Sequence, residues 1–127
     1  MDVKVIDASA LAAIVFDEAD ADKVASRLEG ATLAAPSLLA FEMANVCLTK
    51  LRRHPEHRHA ILQAFATQGG VTIEAAEVDH PSVLVLADRF RLTGYDASYL
   101  WLAHWLKAEL VTLDRQLARA ADKLRSD

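Results

Sequence analysis

The sequence is poor in cysteine, since Cys47 is the only one among its 127 residues. A single cysteine excludes a disulfide within the chain and cannot by itself supply a cysteine-based zinc site. Such cysteine usage is compatible with a reducing compartment. With 53% hydrophobic and 25% charged residues, we expect a single globular domain over residues 1–127, with a core that forms without cross-links.

Long hydrophobic runs are also missing. Nothing approaches the roughly 18 uncharged apolar residues that a membrane-spanning helix needs. The nearest run, ATLAAPSLLAF, is interrupted by Pro36. The first residues, MDVKVID, carry an acid at position 2 and only a short apolar run before Asp7, unlike a secretory signal. The sequence therefore predicts a cytoplasmic protein with no membrane partner.

The chain lacks an excess of positive charge. Its 14 Lys and Arg residues are outnumbered by 18 Asp and Glu residues, and the net charge of −4 argues against a nucleic-acid-binding protein. If four acids were gathered in one metal site, 18 − 4 = 14 acids would remain against 14 bases. The rest of the surface would then be balanced, which weakens the objection without showing that a basic patch exists.

Short apolar runs alternate with longer helix-forming segments along the chain. The pattern predicts strands at 3–6, 32–34, 71–74 and 109–113, separated by helices. Pro36 is expected in the first turn of the helix that reaches Arg53, and Gly94 at the end of the helix that begins at His80. The strands lack strict alternation of polar and apolar residues, which is typical of parallel sheets covered on both faces. We expect an α/β fold, a three-layer α/β/α domain with a central parallel sheet and a polar tail from about residue 123.

Aspartates stand where predicted strands end and helices begin. Asp7 follows the first strand, Asp114 follows the last, and Asp96 opens the helix in GYDASYLWLA. Because ligands of open parallel sheets bind outside the carboxyl ends of the strands, we expect Asp7 and Asp114 at the same edge. Taken singly, each aspartate is better explained as a helix N-cap. The nearby hydroxyl residues Ser9 and Thr112 suit either caps or neighbours of a metal ligand.

Glu42 lies in a helix whose apolar residues spread around most of its circumference. Within that helix, Glu42, Asn45 and Thr49 form a narrow polar stripe. A lone buried glutamate is costly unless it is paired or bound to a metal. The stripe equally well meets solvent through a gap, so the helical pattern leaves both interpretations open.

Four carboxylates that face one point raise one another's pKa values unless a cation lies among them. Mg²⁺ and Mn²⁺ take oxygen ligands of this kind and keep positions for water and substrate phosphate. Such an ion activates water and neutralises charge as a phosphodiester is attacked. The hypothetical metal site has four acidic members: Asp7, Glu42, Asp96 and Asp114.

The segment 50–59 is the densest basic stretch of the chain. Its candidates for contact with nucleic-acid phosphates are Lys50, Arg52, Arg53 and Arg58, and such contacts would make binding salt-dependent. A solvated helix end, where basic residues complement the helix dipole, explains the same residues somewhat better. The five histidines show no spacing typical of metal ligands.

Four motifs occur together along the chain: VIDASALAAI, PSLLAFEMANVCLTKLRR, LTGYDASYLWLA and LVTLDRQLARAA. In this order and spacing they resemble the PIN-domain ribonucleases, and specifically the VapC-type toxins of bacterial type II toxin-antitoxin systems. The resemblance covers the chain from Val5 to about Ala121. Each motif is short, but the combination is specific.

The resemblance implies a role for each acid. Asp7 matches the first acidic ligand of the family, and Glu42 matches the glutamate of its long helix. Asp96 corresponds to the aspartate of the YDA motif, and Asp114 to that of the T-x-D motif. On this basis all four are metal ligands and catalytic residues.

The resemblance also implies an activity and partners. Ser9 and Thr112 match hydroxyl positions near the family's site, and Asn45 matches a frequent polar neighbour. The implied activity is an Mg²⁺- or Mn²⁺-dependent endoribonuclease that leaves a 5′-phosphate. The implied partners are RNA, a second copy in a homodimer, and a cognate antitoxin whose peptide enters the acidic groove.

Two other functions stay open at this point. An acidic pocket could capture an Arg or Lys of a partner peptide, which would make the chain a non-catalytic binding module. The complete set of four acids favours catalysis, because a pure binding module would not need all of them. A phosphoacceptor switch on a similar sheet is less favoured, since Asp7 has no acidic neighbour and Asp114 is followed by Arg115.

Overall fold

The computed structural model describes residues 2–127, in which strands and helices alternate. The strands are β1 (Val3–Ile6), β2 (Thr32–Pro36), β3 (Ile73–Ala76) and β4 (Glu109–Val111). The helices are α1 (Ala8–Val15), α2 (Ala21–Leu28), α3 (Leu39–Arg53), α4 (Arg58–Thr67), α5 (His80–Phe90), α6 (Gly94–Leu106) and α7 (Arg115–Ser126). Short 3-10 turns at Pro55–His57 and Gln68–Gly70 flank α4.

The four strands form one parallel sheet in the order β3-β2-β1-β4. From β1 the chain builds outward through β2 to β3, and then crosses to the other side of β1 to add β4. The carboxyl ends of β1 and β4 therefore flank the point at which the strand order reverses, where ligands of such sheets bind.

Both faces of the sheet are covered by helices. Successive residues of a strand point to opposite faces. The neighbours Val5 and Ile6 of β1 are both buried, and so are Leu110 and Val111 of β4. A strand with both faces buried requires a layer on each side, which confirms the expected three-layer α/β/α fold with a central parallel sheet.

The predicted start of the helix at Pro36 is wrong. Pro36 is the last residue of β2, not part of the helix that follows, and α3 begins only at Leu39. The fixed φ of proline suits extended backbone as well as a first helical turn. Pro36 also lies beyond the residues of β2 that pair with β1, so its missing N–H costs no hydrogen bond on that side.

The third strand begins two residues later than predicted. The turn after α4 extends to Val71, whose N–H donates to the Gln68 carbonyl at 3.1 Å. This hydrogen bond holds the backbone in the turn, so β3 starts at Ile73.

The start of α6 corrects two further predictions. Gly94 begins this helix and does not end α5, which closes at Arg91 in a left-handed conformation with φ of 55°. The N-cap of α6 is Thr93, whose Oγ1 accepts from the Asp96 N–H at 3.1 Å. The expectation that Asp96 is the cap is therefore wrong. Asp96 lies within the first turn, three residues after the cap.

The last residues continue the fold. The segment from Lys123 that the sequence suggests as a polar tail forms the final turn of α7, in which Leu124 is buried. Among residues 2–127, no helix combines the length and apolar character needed to cross a membrane.

Candidate functional site

Asp7 is the buried centre of the site. It directly follows β1 and caps α1, with its Oδ1 accepting from the Ala10 N–H at 3.0 Å. Ser9 Oγ donates to the same oxygen at 2.7 Å, and Thr112 Oγ1 donates to Oδ2. Only 6% of Asp7 is exposed, but both of its carboxylate oxygens accept hydrogen bonds, so the buried group is satisfied.

The two hydroxyl residues join the ends of β1 and β4. Ser9 Oγ accepts from the Leu113 N–H at 2.9 Å, and Thr112 Oγ1 accepts from the Asp114 N–H at 3.0 Å. Each hydroxyl thus donates to Asp7 while it accepts from the backbone that follows β4. The network fixes the position of Asp7 relative to the other side of the switch point.

Asp114 caps α7 at the end of this backbone segment. Its Oδ1 accepts from the Leu117 N–H at 3.0 Å, which confirms the prediction that it is a helix N-cap. The residue is exposed, in contrast to Asp7. The cap uses one carboxylate oxygen, and the residue is accessible to a ligand from solvent.

Glu42 and Asp96 are half-buried in the first turns of α3 and α6. With Asp7 and Asp114 as caps, all four acids lie at helix N-termini. The partial positive charge of a helix N-terminus stabilises a carboxylate there. Four helices thus present their amino ends, each with one acid, toward the carboxyl edge of the sheet.

The carboxylates are close enough to interact through their charges. Asp7 repels each of the other three, namely Glu42, Asp96 and Asp114. Asp96 is in addition coupled to both Glu42 and Asp114. The structure therefore brings together all four acidic residues that the sequence singles out, although they are spread from position 7 to position 114.

Burial and mutual repulsion raise the pKa of three of these acids above the ordinary range. Burial is the main cause for Asp7, and the Asp114 charge adds to it, while the hydrogen bonds that Asp7 accepts act in the opposite direction. Burial also dominates for Glu42 and Asp96, each with further contributions from neighbouring acids. A nearby cation would lower all three pKa values.

Among the residues that the structure describes, no basic side chain compensates this charge. Within residues 2–127, none of the ion pairs involves any of the four acids. Carboxylates with raised pKa values and no basic partner are uncommon in a region that serves stability alone, and they are typical of functional sites.

The donor set suits a hard divalent cation. It consists of carboxylate oxygens flanked by hydroxyls, which Mg²⁺ and Mn²⁺ prefer over the sulfur and imidazole ligands of zinc sites. Across the described part of the chain, no three His, Cys, Asp or Glu side chains stand close enough to form a ready-made metal cage.

Other predicted residues lie apart from the acids. Asn45 is exposed, and within residues 2–127 no hydrogen bond joins its side chain to a carboxylate; its backbone oxygen accepts from Thr49 Oγ1. Lys50 is paired with Glu18 at 3.2 Å. The remaining basic candidates are exposed near the far end of α3 and the start of α4: Arg52, Arg53 and Arg58.

Tyr99 contacts one of the four acids, and sequence reasoning missed it. Its Oη donates to Glu42 Oε1 at 2.6 Å, and its ring is almost completely buried. A signal was present, since Tyr99 follows Asp96 by three residues in α6, which places both on one side of the helix. Burial, together with the hydrogen bond to Glu42, raises the pKa of Tyr99 far above its usual range.

Comparison with known proteins agrees with this architecture. The crystal structure of PAE2754 from Pyrobaculum aerophilum is similar, with a TM-score of 0.74 and 26% sequence identity over 98% of this chain and 95% of that chain. None of the curated proteins compared with the sequence matches it.

A family model described as the PIN domain matches residues 4–123. PIN domains are typically nucleases that use divalent metal ions, and a nuclease character at this general level agrees with the acids at the sheet edge. Because the match extends over nearly the whole sequence and includes all four acids, the chain belongs to the PIN domain family.

Proposed function

We propose that this protein is a metal-dependent endoribonuclease that acts as the toxin of a type II toxin-antitoxin pair. One observation carries the nuclease assignment: four carboxylates lie at helix N-termini along the carboxyl edge of the sheet, Asp7 repels each of the other three, and among residues 2–127 none of the four has a basic partner. A hard divalent cation relieves such repulsion, and a phosphodiester brings further negative charge that the cation also neutralises.

Asp7, Glu42, Asp96 and Asp114 are the proposed ligands of Mg²⁺ or Mn²⁺. When bound, the ion lowers the pKa of a water molecule and stabilises charge on the phosphate. Asp7 is held by Ser9 and Thr112, so its direction is fixed before any ion arrives. Pre-orientation of a ligand by hydrogen bonds of this kind typically strengthens metal binding.

Arg52, Arg53 and Arg58 are the proposed contacts to RNA phosphates. Among residues 2–127 none of their side chains has an ion-pair or hydrogen-bond partner, whereas the Lys50 side chain is paired with Glu18. Arg52 lies about 15 Å along the α3 axis from Glu42, which is within the span of a few nucleotides. RNA held by these arginines would extend along α3 toward the acids.

The toxin role and the partners rest on the motif resemblance. A homodimer is further supported by exposed apolar side chains on α5 and α6, which pack against each other: Leu84, Val85 and Trp105 are each at least 66% exposed. A basic segment of an antitoxin would suit the uncompensated acids. The same feature supports a second candidate function, a non-catalytic module that captures a basic peptide.

RNA cleavage is the experiment that tests the nuclease. A mixed pool of structured RNAs is incubated with the wild type and with Asp7→Asn, in Mg²⁺, in Mn²⁺ and in EDTA, and the ends produced are mapped. We expect metal-dependent cutting that leaves 5′-phosphates and is lost in the variant. Asp88→Asn, an exposed aspartate of α5 without ion-pair partners among the described residues, is the matched control and should cut like the wild type.

The outcome separates the two candidate functions. A folded wild type that binds no Mn²⁺ and cuts no RNA would favour the peptide-binding module. The toxin half is tested by expression in a bacterial host, where growth should stop with the wild type and continue with Asp7→Asn. If the wild type cuts RNA but does not stop growth, the protein is a nuclease and the toxin role is wrong.

A further inference from the structure

Tyr99 joins the core of the fold to the acidic site. Its ring is 1% exposed within α6, while its hydroxyl reaches Glu42 on α3. Among the described residues, this is the side-chain hydrogen bond that connects these two helices. A buried aromatic ring has little freedom to move, so the hydroxyl at its tip is a fixed point for the flexible Glu42 side chain.

The hydrogen bond engages only one oxygen of Glu42. Tyr99 Oη donates to Oε1, while Oε2 has no hydrogen-bond partner among residues 2–127. A glutamate has three side-chain torsions, and it must give up that freedom before it can serve as a ligand in a defined direction. With Oε1 fixed, the rotation of the carboxylate is restricted and Oε2 is left available.

The chemistry of the donor also matters. Lysine or arginine in this position would form an ion pair and cancel the negative charge that attracts a cation. The tyrosine hydroxyl is neutral, so it satisfies Oε1 and leaves the negative charge in place. Asp96 lies on the same side of α6 and is coupled to Glu42 by charge, so one helix supplies both a second acid and the group that orients the first.

We propose that Tyr99 is a positioning residue of the metal site, whose hydroxyl holds Glu42 Oε1 so that Oε2 faces the divalent cation. This inference rests on the proposed function, because it assumes that Glu42 is a metal ligand. It adds a residue outside the acidic quartet, and it assigns to the core of α6 a role in metal affinity.

Calorimetric titration with Mn²⁺ alone, without RNA, tests the proposal. Tyr99→Phe keeps the ring and removes only the hydroxyl, and we expect about 10-fold weaker Mn²⁺ binding, as for other residues that orient metal ligands. Tyr95→Phe is the matched control in the same helix, because Tyr95 is 66% exposed and should bind Mn²⁺ like the wild type. Circular dichroism verifies the fold of each variant.

A double-substitution cycle separates positioning from a structural effect. In the Glu42→Gln background, Tyr99→Phe should change the Mn²⁺ affinity by less than about 2-fold, because the ligand that Tyr99 orients is no longer a carboxylate. An equal loss in both backgrounds, or no loss in the single variant, would overturn the positioning role while the metal site stands. A wild type that binds no Mn²⁺ would overturn the proposed function and this inference together.

Fluorine NMR gives an answer even if Tyr99→Phe fails to fold. The chain has two tyrosines, so the wild type made with 3-fluorotyrosine should give two resonances, and Tyr95→Phe assigns them. We expect the Tyr99 resonance to shift as Mg²⁺ is added. Binding of Mg²⁺ that leaves this resonance unmoved would refute a link between Tyr99 and the metal.

Discussion

Acidic side chains at the two ends of the sheet differ in whether they have basic partners. At the amino end, Glu109 of β4 is held by Arg27 at 2.8 Å and by Lys4 at 3.3 Å. At the carboxyl end, Asp7 and Asp114 have no basic partner among residues 2–127 and face further acids instead. The same strands therefore carry a compensated carboxylate at one end and an uncompensated cluster at the other.

The pKa directions follow this contrast. Burial acts to raise the pKa of Glu109, but the hydrogen bonds and charges of Arg27 and Lys4 outweigh it and lower the pKa overall. At the carboxyl end, burial and repulsion raise the pKa values of Asp7 and Asp96. Basic partners thus stabilise the charge of Glu109, whereas among residues 2–127 the acids at the carboxyl end have no such partner.

Metal addition should distinguish the two ends most strongly. At 100 times its Kd, Mn²⁺ should increase the free energy of unfolding of the wild type by about 2.7 kcal/mol. Asp7→Asn should lose most of this gain, and Glu109→Gln should keep it. Thermal unfolding with Mn²⁺ and with EDTA measures the effect; equal gains in both variants would place the ion elsewhere.

Basic side chains with and without an ion-pair partner offer a second contrast. Replacing Arg52, Arg53 and Arg58 together by Gln should reduce the slope of log affinity against log salt for RNA by about one for each phosphate that is no longer neutralised. Lys50→Gln, which removes a positive charge already paired with Glu18, should change the slope little. Filter binding with catalytically inactive Asp7→Asn protein across a salt series measures it, and identical slopes in all variants would remove this segment from the RNA-binding surface.

Asp114 caps α7, and on the proposed function it is also a metal ligand; two substitutions separate these roles. Asn caps helices about as well as Asp, so Asp114→Asn should unfold within about 0.5 kcal/mol of the metal-free wild type, whereas Asp114→Ala should lose about 1 kcal/mol. Both variants should bind Mn²⁺ more weakly. Urea unfolding in EDTA gives the free energy of unfolding, and calorimetry gives the Mn²⁺ affinity. Normal Mn²⁺ affinity in Asp114→Asn would show that Asp114 is a helix cap and not a metal ligand.

The smallest expected effect concerns the pH dependence of stability in EDTA, to which Asp7 and Glu109 should contribute with opposite signs. The raised pKa of Asp7 means that the folded chain holds this proton more tightly than the unfolded chain, so its contribution to stability falls as pH rises from the ordinary range through the folded pKa. Glu109 has a lowered pKa, so its contribution is present above the ordinary range and is lost as pH falls through the folded value.

Urea unfolding between about pH 3 and pH 8 checks these signs. With rising pH, Asp7→Asn should gain on the wild type, and Glu109→Gln should fall behind it by less than about 1 kcal/mol, because Glu109 is partly exposed. Parallel curves for the two variants would contradict the contrast between the ends of the sheet.

The sequence predicts the fold well because local and global signals agree. The four apolar strand segments, their lack of alternation and the intervening helices leave few arrangements other than a covered parallel sheet. The errors occur where one residue suits two conformations. Pro36 fits extended and helical backbone alike, and Gly94 is compatible with either end of a helix.

The candidate site is predictable for a different reason. The rule that ligands bind at carboxyl strand ends places Asp7 and Asp114 without any knowledge of distance. The role of Thr93 was also readable, because Thr three residues before Asp resembles a capping box. Tyr99 could not be assigned to Glu42 from the pattern, since nothing in either helix specifies which residues meet across the molecule.

The hydroxyl network around Asp7 makes the site depend on the order of synthesis. Thr112 and Asp114 are made more than a hundred residues after Asp7. Until that segment leaves the ribosome and β4 docks beside β1, Asp7 lacks the Thr112 hydroxyl and the acidic set is incomplete. On the proposed function, ribonuclease activity therefore has to wait until β4 and the segment that follows it have been made and have docked beside β1.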